Sequence, residues 1–218
     1  MLNMHTFVIQ PVDISSLEKL LLDAGGNLQP VPFDAIKKFP QNDISYFCHQ
    51  YGIYQIVTTE LVEFVREQIE DFSAIEIGAG NGCLGRALGI PLTDSKIQEA
   101  KDVKNFYGQI KQPPVRYGAD VRKLDALTAV KMLKATAAVG AWVTHKYKSH
   151  LPDGFFGGVD EAVLSKRLKR YVFVGNAITH KNKEMLRFCQ PKEYRFDWLV
   201  SRSPNRAQNI IWTFDFTN

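Results

Sequence analysis

Apolar and polar positions alternate with two different periods along this chain. Leu61, Val62, Phe64, Val65 and Ile69 recur at helical spacing with Glu and Arg between them, which predicts a helix over 58–69. A hydroxyl of Thr58 or Thr59 is placed to cap it. An apolar helical stretch over 14–24 stops at Gly25-Gly26, and 28–33, with Pro30 and Pro32, reads as turn and loop. A short apolar run over 72–77 leads into a glycine-rich stretch and then into 83–88, which can start a helix. From there strand and helix candidates take turns. Strands are expected at 90–93, ending at Asp94-Ser95, at 115–119, ending at Asp120-Val121, at 137–143 and at 171–174. Helices are expected at 95–107, 126–133 and 162–168. Two late strands, 193–200 and 209–216, are separated only by 201–208. Strands alternating with helices imply an α/β fold with a mostly parallel sheet covered on both faces. The late pair implies an antiparallel hairpin at the end.

Composition adds little to this picture, and charge adds more. With 218 residues and 45% hydrophobic content, one domain of ordinary core size is expected, with a small appendage. Residues 1–50 form that N-terminal helical extension or cap, and 51–218 the main domain. Cys48, Cys83 and Cys189 are far apart and odd in number, which argues for reduced thiols, a cytoplasmic protein and no zinc site. No leader pattern and no membrane-length apolar run is visible. The net charge of +4 conceals an asymmetry: residues 1–100 sum to −7 and residues 101–218 to +11. A basic C-terminal half points to an anionic partner such as nucleic acid, with a solvated charged surface as the alternative.

The chemistry concentrates at Glu76-Ile77-Gly78-Ala79-Gly80-Asn81-Gly82. An acid ends a strand, a glycine follows at every second position, and a helix begins. Glycines let the backbone turn and approach a ligand closely, and the helix start offers unpaired N–H groups. The segment resembles motif I of the class I S-adenosylmethionine-dependent methyltransferases, acid-x-Gly-x-Gly-x-Gly. Gly80-Asn81-Gly82-Cys83-Leu84-Gly85 also fits the Gly-x-Gly-x-x-Gly dinucleotide fingerprint. Glu76 favours the first reading, since the dinucleotide pattern has no need of an acid there.

The resemblance implies a Rossmann-like, seven-stranded sheet with a C-terminal antiparallel hairpin and helices on both faces. It implies S-adenosylmethionine as cofactor and methyl transfer as the activity, to an acceptor the chain does not name. It places Glu76, Gly78, Gly80, Asn81, Gly82 and Thr144 at the cofactor. Asp94 is expected on the ribose hydroxyls, Asp120 on the adenine amino group, and the Val121 amide on a ring nitrogen. Tyr54 and Gln55 are candidates to reach the methionine end of the cofactor, with surface packing as the alternative.

The fourth strand end reads Ala141-Trp142-Val143-Thr144-His145-Lys146-Tyr147. The acid- or Asn-Pro-Pro-aromatic motif of amino-methyltransferases acting on bases is absent, as is a Pro-Cys nucleophile. His145 is a general-base candidate near neutral pH, with Tyr147 beside it. Trp142 reads as core. The loop 153–160 is rich in glycine and phenylalanine and could close over a substrate, and Asn176 and His180 follow the fifth strand at the same mouth. Two other functions fit the same residues: a non-catalytic module that binds S-adenosylmethionine, and a nicotinamide-dependent oxidoreductase.

Overall fold

A computed structural model describes residues 9–143 and 158–216. One seven-stranded sheet runs in the order β3-β2-β1-β4-β5-β7-β6. Its strands are β1 (Ala74–Ile77), β2 (Leu92–Asp94), β3 (Arg122–Lys123), β4 (Ala137–Ala141), β5 (Arg170–Asn176), β6 (Lys192–Tyr194) and β7 (Asn209–Asp215). The first five pair in parallel, and β7 enters antiparallel between β5 and β6. The expected mostly parallel sheet with an antiparallel C-terminal hairpin is therefore present.

Period-2 side-chain alternation divides the sheet's residues between two cores. Tyr171 and Phe173 of β5, with Ile210, Trp212 and Phe214 of β7, pack with helices α7 (Ala126–Met132) and α8 (Glu161–Ser165). Val172, Val174 and Ile211 pack on the other face with α4 (Thr59–Ile69) and α5 (Cys83–Leu88). Helix α4 follows its sequence pattern: Leu61, Val62, Val65 and Ile69 are buried, and Thr58 Oγ1 accepts from the Leu61 N–H at 3.2 Å. A third core gathers α1 (Ser15–Leu21), α2 (Phe33–Ile36) and α3 (Gln41–Tyr51) around Ile53, Ile56 and Val200. Helix α6 (Lys101–Gln109) completes the set.

Two strands differ from the sequence expectation. The apolar run 115–119 is not a strand. Its backbone turns to the glycine loop, with Gly118 N–H on Gly80 O at 3.2 Å and Val115 N–H on Gln98 Oε1 at 2.8 Å. The residues that pair with β2 are the exposed Arg122 and Lys123, opposite Thr93 and Asp94. Charged residues suit an exposed sheet edge, and for that reason hydrophobicity does not reveal this strand. The second difference is β6, which stops at Tyr194. Beyond it Phe196 stacks on Trp198 at 4.3 Å and meets Phe64 edge-on at 5.1 Å, so the aromatics cover α4 instead of continuing the ladder.

Candidate functional site

The carboxyl ends of the parallel strands open into one cavity of about 1420 Å³. Cavities that hold a drug-sized ligand run from about 300 to 1,000 Å³, so this one has room for more than one small molecule.

On one side stands the glycine loop. Gly78, Gly80 and Gly82 have φ of 61°, 56° and 78°, the left-handed region where a side chain is strained. Gly78 also lies against the segment that leaves β4: a Cβ there would come 2.7 Å from Val143 Cγ2. Glu76 is 2% exposed, lines the cavity and accepts from the Gly85 N–H at 2.9 Å. Burial pushes its carboxyl up to about 8, against the pull of the Gly85 hydrogen bond. Among the described residues it has no cation within ion-pair distance. A cationic group brought beside it would favour its ionised form.

Asp94 sits at the end of β2, as expected. The register Glu76↔Leu92 and Ile77↔Thr93 brings it beside the loop, even though α5 has only six residues. Its Oδ2 accepts from Gly80 N–H at 3.0 Å and its Oδ1 from Lys96 N–H at 2.7 Å. Burial raises its carboxyl above the usual range. Gly78, Gly80 and Asn81 line the cavity with Glu76 and Asp94. Gly82 lies behind, where a Cβ would crowd Leu92 and Val121.

Asp120 and Val121 are placed elsewhere. Because the strand is 122–123, they precede it instead of closing it. Asp120 is half-exposed and holds Arg86 through two hydrogen bonds, Nε–Oδ2 at 2.9 Å and Nη2–Oδ1 at 2.6 Å. The guanidinium holds its carboxylate below the usual range. Val121 packs with Ala79 and Leu92 in a small core, and neither residue lines the cavity. The residue that does close β3 toward the cavity is Asp125, flanked by Leu124 and Ala126. It caps α7 by accepting from Thr128 N–H at 3.0 Å and Leu127 N–H at 3.1 Å, and the Thr128 side chain together with these amides holds it below the usual range. An aspartate directly before the predicted helix 126–133 signals a helix cap, not a cavity residue.

The opposite side of the cavity comes from β4, β5 and the segment before β7. Trp142, expected in the core, is half-buried and lines the cavity, with φ of 58°. A non-glycine residue held there stores about 1–3 kcal/mol of strain that its surroundings must offset. They do so by fixing it on several sides. Its N–H reaches Val174 O at 2.8 Å, and its indole N–H reaches Gln55 Oε1 at 3.2 Å. His180 meets the ring edge-on at 5.3 Å. Gln55 is itself held by Val200 O at 2.7 Å. Asn176 and His180 line the cavity, and His180 Nδ1 lies 3.0 Å from both the backbone N–H and the carbonyl oxygen of Asn176. Tyr54 and Arg202 complete this wall, the guanidinium lying 4.2 Å from the ring centroid. Thr144, His145 and Tyr147, and most of the 153–160 loop, lie outside the described residues. Among the described residues no cluster of His, Cys, Asp or Glu is placed to hold a metal ion, and no helix is long and apolar enough to cross a membrane.

The seven-stranded, mostly parallel sheet and its terminal antiparallel hairpin are those that the resemblance of the glycine loop to motif I implied. No family model and no curated protein matches the chain. Among solved structures it is similar to an rRNA methylase from Streptococcus thermophilus, with 11% identity, TM-score 0.38, and 72% of this chain and 94% of that one covered. It is similar also to a Thermoplasma acidophilum protein, with 17% identity, TM-score 0.37, and coverage of 83% and 99%. A third is the 23S rRNA methyltransferase ErmE, with 14% identity, TM-score 0.37, and coverage of 73% and 68%.

Proposed function

We propose that this chain is an S-adenosylmethionine-dependent methyltransferase. The observation that carries the reading is the run of three acids at three neighbouring strand ends around one cavity: Glu76, Asp94 and Asp125. Each suits a different part of the cofactor. Glu76, buried and without a cation, fits the ammonium of the amino-acid end. Asp94 fits the ribose hydroxyls, since two backbone bonds fix its carboxylate and leave lone pairs for further donors. Asp125, Leu124 and Ala126 form the wall for the adenine, the role first expected of Asp120 and Val121. Gly78, Gly80 and Asn81 supply the backbone against which the ligand lies. The cofactor brings a methyl group already activated by its sulfonium, so the protein's task is to orient an acceptor and exclude water. Trp142 and Tyr54 stand where that acceptor would enter. His145 and Tyr147 follow Trp142 in the chain and remain the candidates for proton removal, and Thr144 for a further cofactor contact.

Calorimetry with S-adenosylhomocysteine tests the binding half of this reading. Saturable heat is expected for the wild type, with weaker binding for Glu76→Gln and Asp94→Asn. A labelled-methyl assay on candidate acceptors then separates an enzyme from a non-catalytic binding module. Binding of NADH with no heat from S-adenosylhomocysteine would sink the proposal in favour of an oxidoreductase.

A further inference from the structure

The cavity is lined by charges of both signs. All three carboxylates that line it, Glu76, Asp94 and Asp125, lie at the ends of β1, β2 and β3. Its two permanent cations are Arg202 and Lys111. Arg202 stands in the segment before β7, beyond β4 and β5, and Lys111 follows α6. Among the described residues neither cation has a carboxylate partner. Arg202 is nevertheless built in. Its backbone N–H bonds Tyr54 O at 3.1 Å, and its carbonyl accepts from Ser45 Oγ at 3.1 Å. Its guanidinium lies on the Tyr54 ring, and the Gln112 amide, with its oxygen turned toward it, accepts from Nη1 at 2.9 Å. Tyr54 in turn packs 5.8 Å from Trp142. A guanidinium fixed on one face and one edge keeps donors for a ligand. Its planar fork matches a carboxylate or phosphate.

We propose that the methyl acceptor is a planar molecule bearing an oxyanion, that Arg202 holds the oxyanion, and that the ring lies against Tyr54 and Trp142. The inference rests on the methyltransferase reading and adds the acceptor's chemistry to it. Acids at the strand ends and a guanidinium on the Tyr54 ring offer separate partners to two ligands that must meet. The ammonium of the cofactor has Glu76 as its acceptor, and the oxyanion of the methyl acceptor has the Arg202 guanidinium as its donor. Phosphate on a nucleotide and carboxylate on an aromatic acid share this chemistry, so the test carries both.

The test titrates protein saturated with S-adenosylhomocysteine with AMP, UMP, salicylate and a short single-stranded RNA, each by calorimetry, alongside adenosine, uridine and benzamide as uncharged counterparts. At least one anion is expected to bind saturably, more weakly as salt is raised, and at least about ten-fold tighter than its uncharged counterpart. The member that binds identifies the source of the oxyanion. Arg202→Gln should lose that ten-fold preference while S-adenosylhomocysteine affinity stays within about two-fold of wild type. Arg202→Lys, which keeps the charge without the fork, should fall between. Equal binding of charged and uncharged probes, or no binding of any probe, overturns the proposal. So does a loss of S-adenosylhomocysteine affinity in Arg202→Gln, because the guanidinium would then serve the cofactor's own carboxylate. If the wild type fails to bind S-adenosylhomocysteine, the methyltransferase reading falls. The same probes on the free protein then still decide whether Arg202 selects oxyanions.

Discussion

Glu76 is the residue on which burial and charge most plainly conflict. The folded protein holds its carboxyl up to about 8, whereas the ordinary value is 4.5. Between those two values the native state keeps a proton that the unfolded chain has released. Stability from this group is therefore present at low pH, falls as pH rises through that window, and is level above it. Asp94, also raised by burial, adds to the same slope. Glu76→Gln keeps an acceptor for the Gly85 N–H and cannot ionise. Its melting temperature should exceed that of wild type near pH 8 by on the order of 5 °C, with the gap closing toward acid pH. Equal slopes in wild type and variant would mean that Glu76 is ionised in the folded protein. Gly85 sets the fit around this carboxyl. A Cβ there would strike Leu92 Cδ2 and come within 2.5 Å of Glu76 Oε2. Gly85→Ala should cost about 1–3 kcal/mol in urea unfolding and weaken S-adenosylhomocysteine binding. The two aspartates near β3 give a paired prediction. Asp120→Asn breaks an exposed ion pair, should change stability by less than about 1 kcal/mol, and should leave ligand affinity unchanged. Asp125→Ala removes a helix cap worth about 1 kcal/mol and should also weaken binding, as calorimetry would show. Glu76 and Asp94 were legible in the sequence because each ends an apolar strand. Asp125 was not, because the strand it ends consists of two exposed charged residues.

At the scale of elements, β4 matters most, because it ends between the cofactor side and the Arg202 wall. Its exit is pinned from beneath by an ion pair with both side chains fully buried, Lys183 and Glu161. Lys183 Nζ donates to Val143 O at 3.0 Å and lies 4.1 Å from the Phe173 ring centroid, and Glu161 accepts from the Met185 N–H at 2.9 Å. Desolvation pulls the lysine below its usual value, and the glutamate pulls it back. Removing one partner strands a buried charge. Lys183→Met should therefore lose about 3–5 kcal/mol, and the double variant Lys183→Met with Glu161→Gln should regain much of that. Urea unfolding of the two single variants and the double variant measures the coupling. A double variant no better than Lys183→Met would show that the lysine acts through its bond to Val143 alone. Sequence periodicity revealed α4 and β7 well, because each carries a regular apolar pattern over seven residues or more, whereas for β5 it marked only the apolar run 171–174 at the centre of Arg170–Asn176. It missed α3, whose buried face of Ile44, Ser45, Phe47 and Cys48 mixes polar with apolar positions. It overextended β6, because Phe196, Trp198 and Val200 alternate like a strand, while the rings of Phe196 and Trp198 pack on Phe64 of α4 and the backbone at Val200 and Ser201 meets Ile56 and Gln55.

For the molecule as a whole, the question is whether residues 1–50 are a cap or part of the body. Three observations tie them in. The core of Leu17, Leu21, Ile36, Ile44, Phe47 and Cys48 is shared with Ile53, Ile56 and Val200, so neither side closes it alone. Gln41 Nε2 donates to Ser201 O at 2.9 Å and Ser45 to Arg202 O, which fixes the segment carrying the guanidinium. Gln41, Ser45 and His49 line the same cavity as Glu76 and Asp94. Each buried aliphatic or aromatic side chain of that core contributes about 1.5–3 kcal/mol, against a typical total stability of about 5–15 kcal/mol. Removing 1–50 therefore uncovers Ile53, Ile56 and Val200 and takes away a large fraction of what holds the domain folded. The full chain is expected to unfold in urea in one transition, coincident by far-ultraviolet circular dichroism and tryptophan fluorescence. A fragment of residues 51–218 should show no cooperative transition and no binding of S-adenosylhomocysteine. A fragment that unfolds sharply and still binds would make residues 1–50 a dispensable cap. The N-terminal wall of the cavity would then have no part in holding the cofactor.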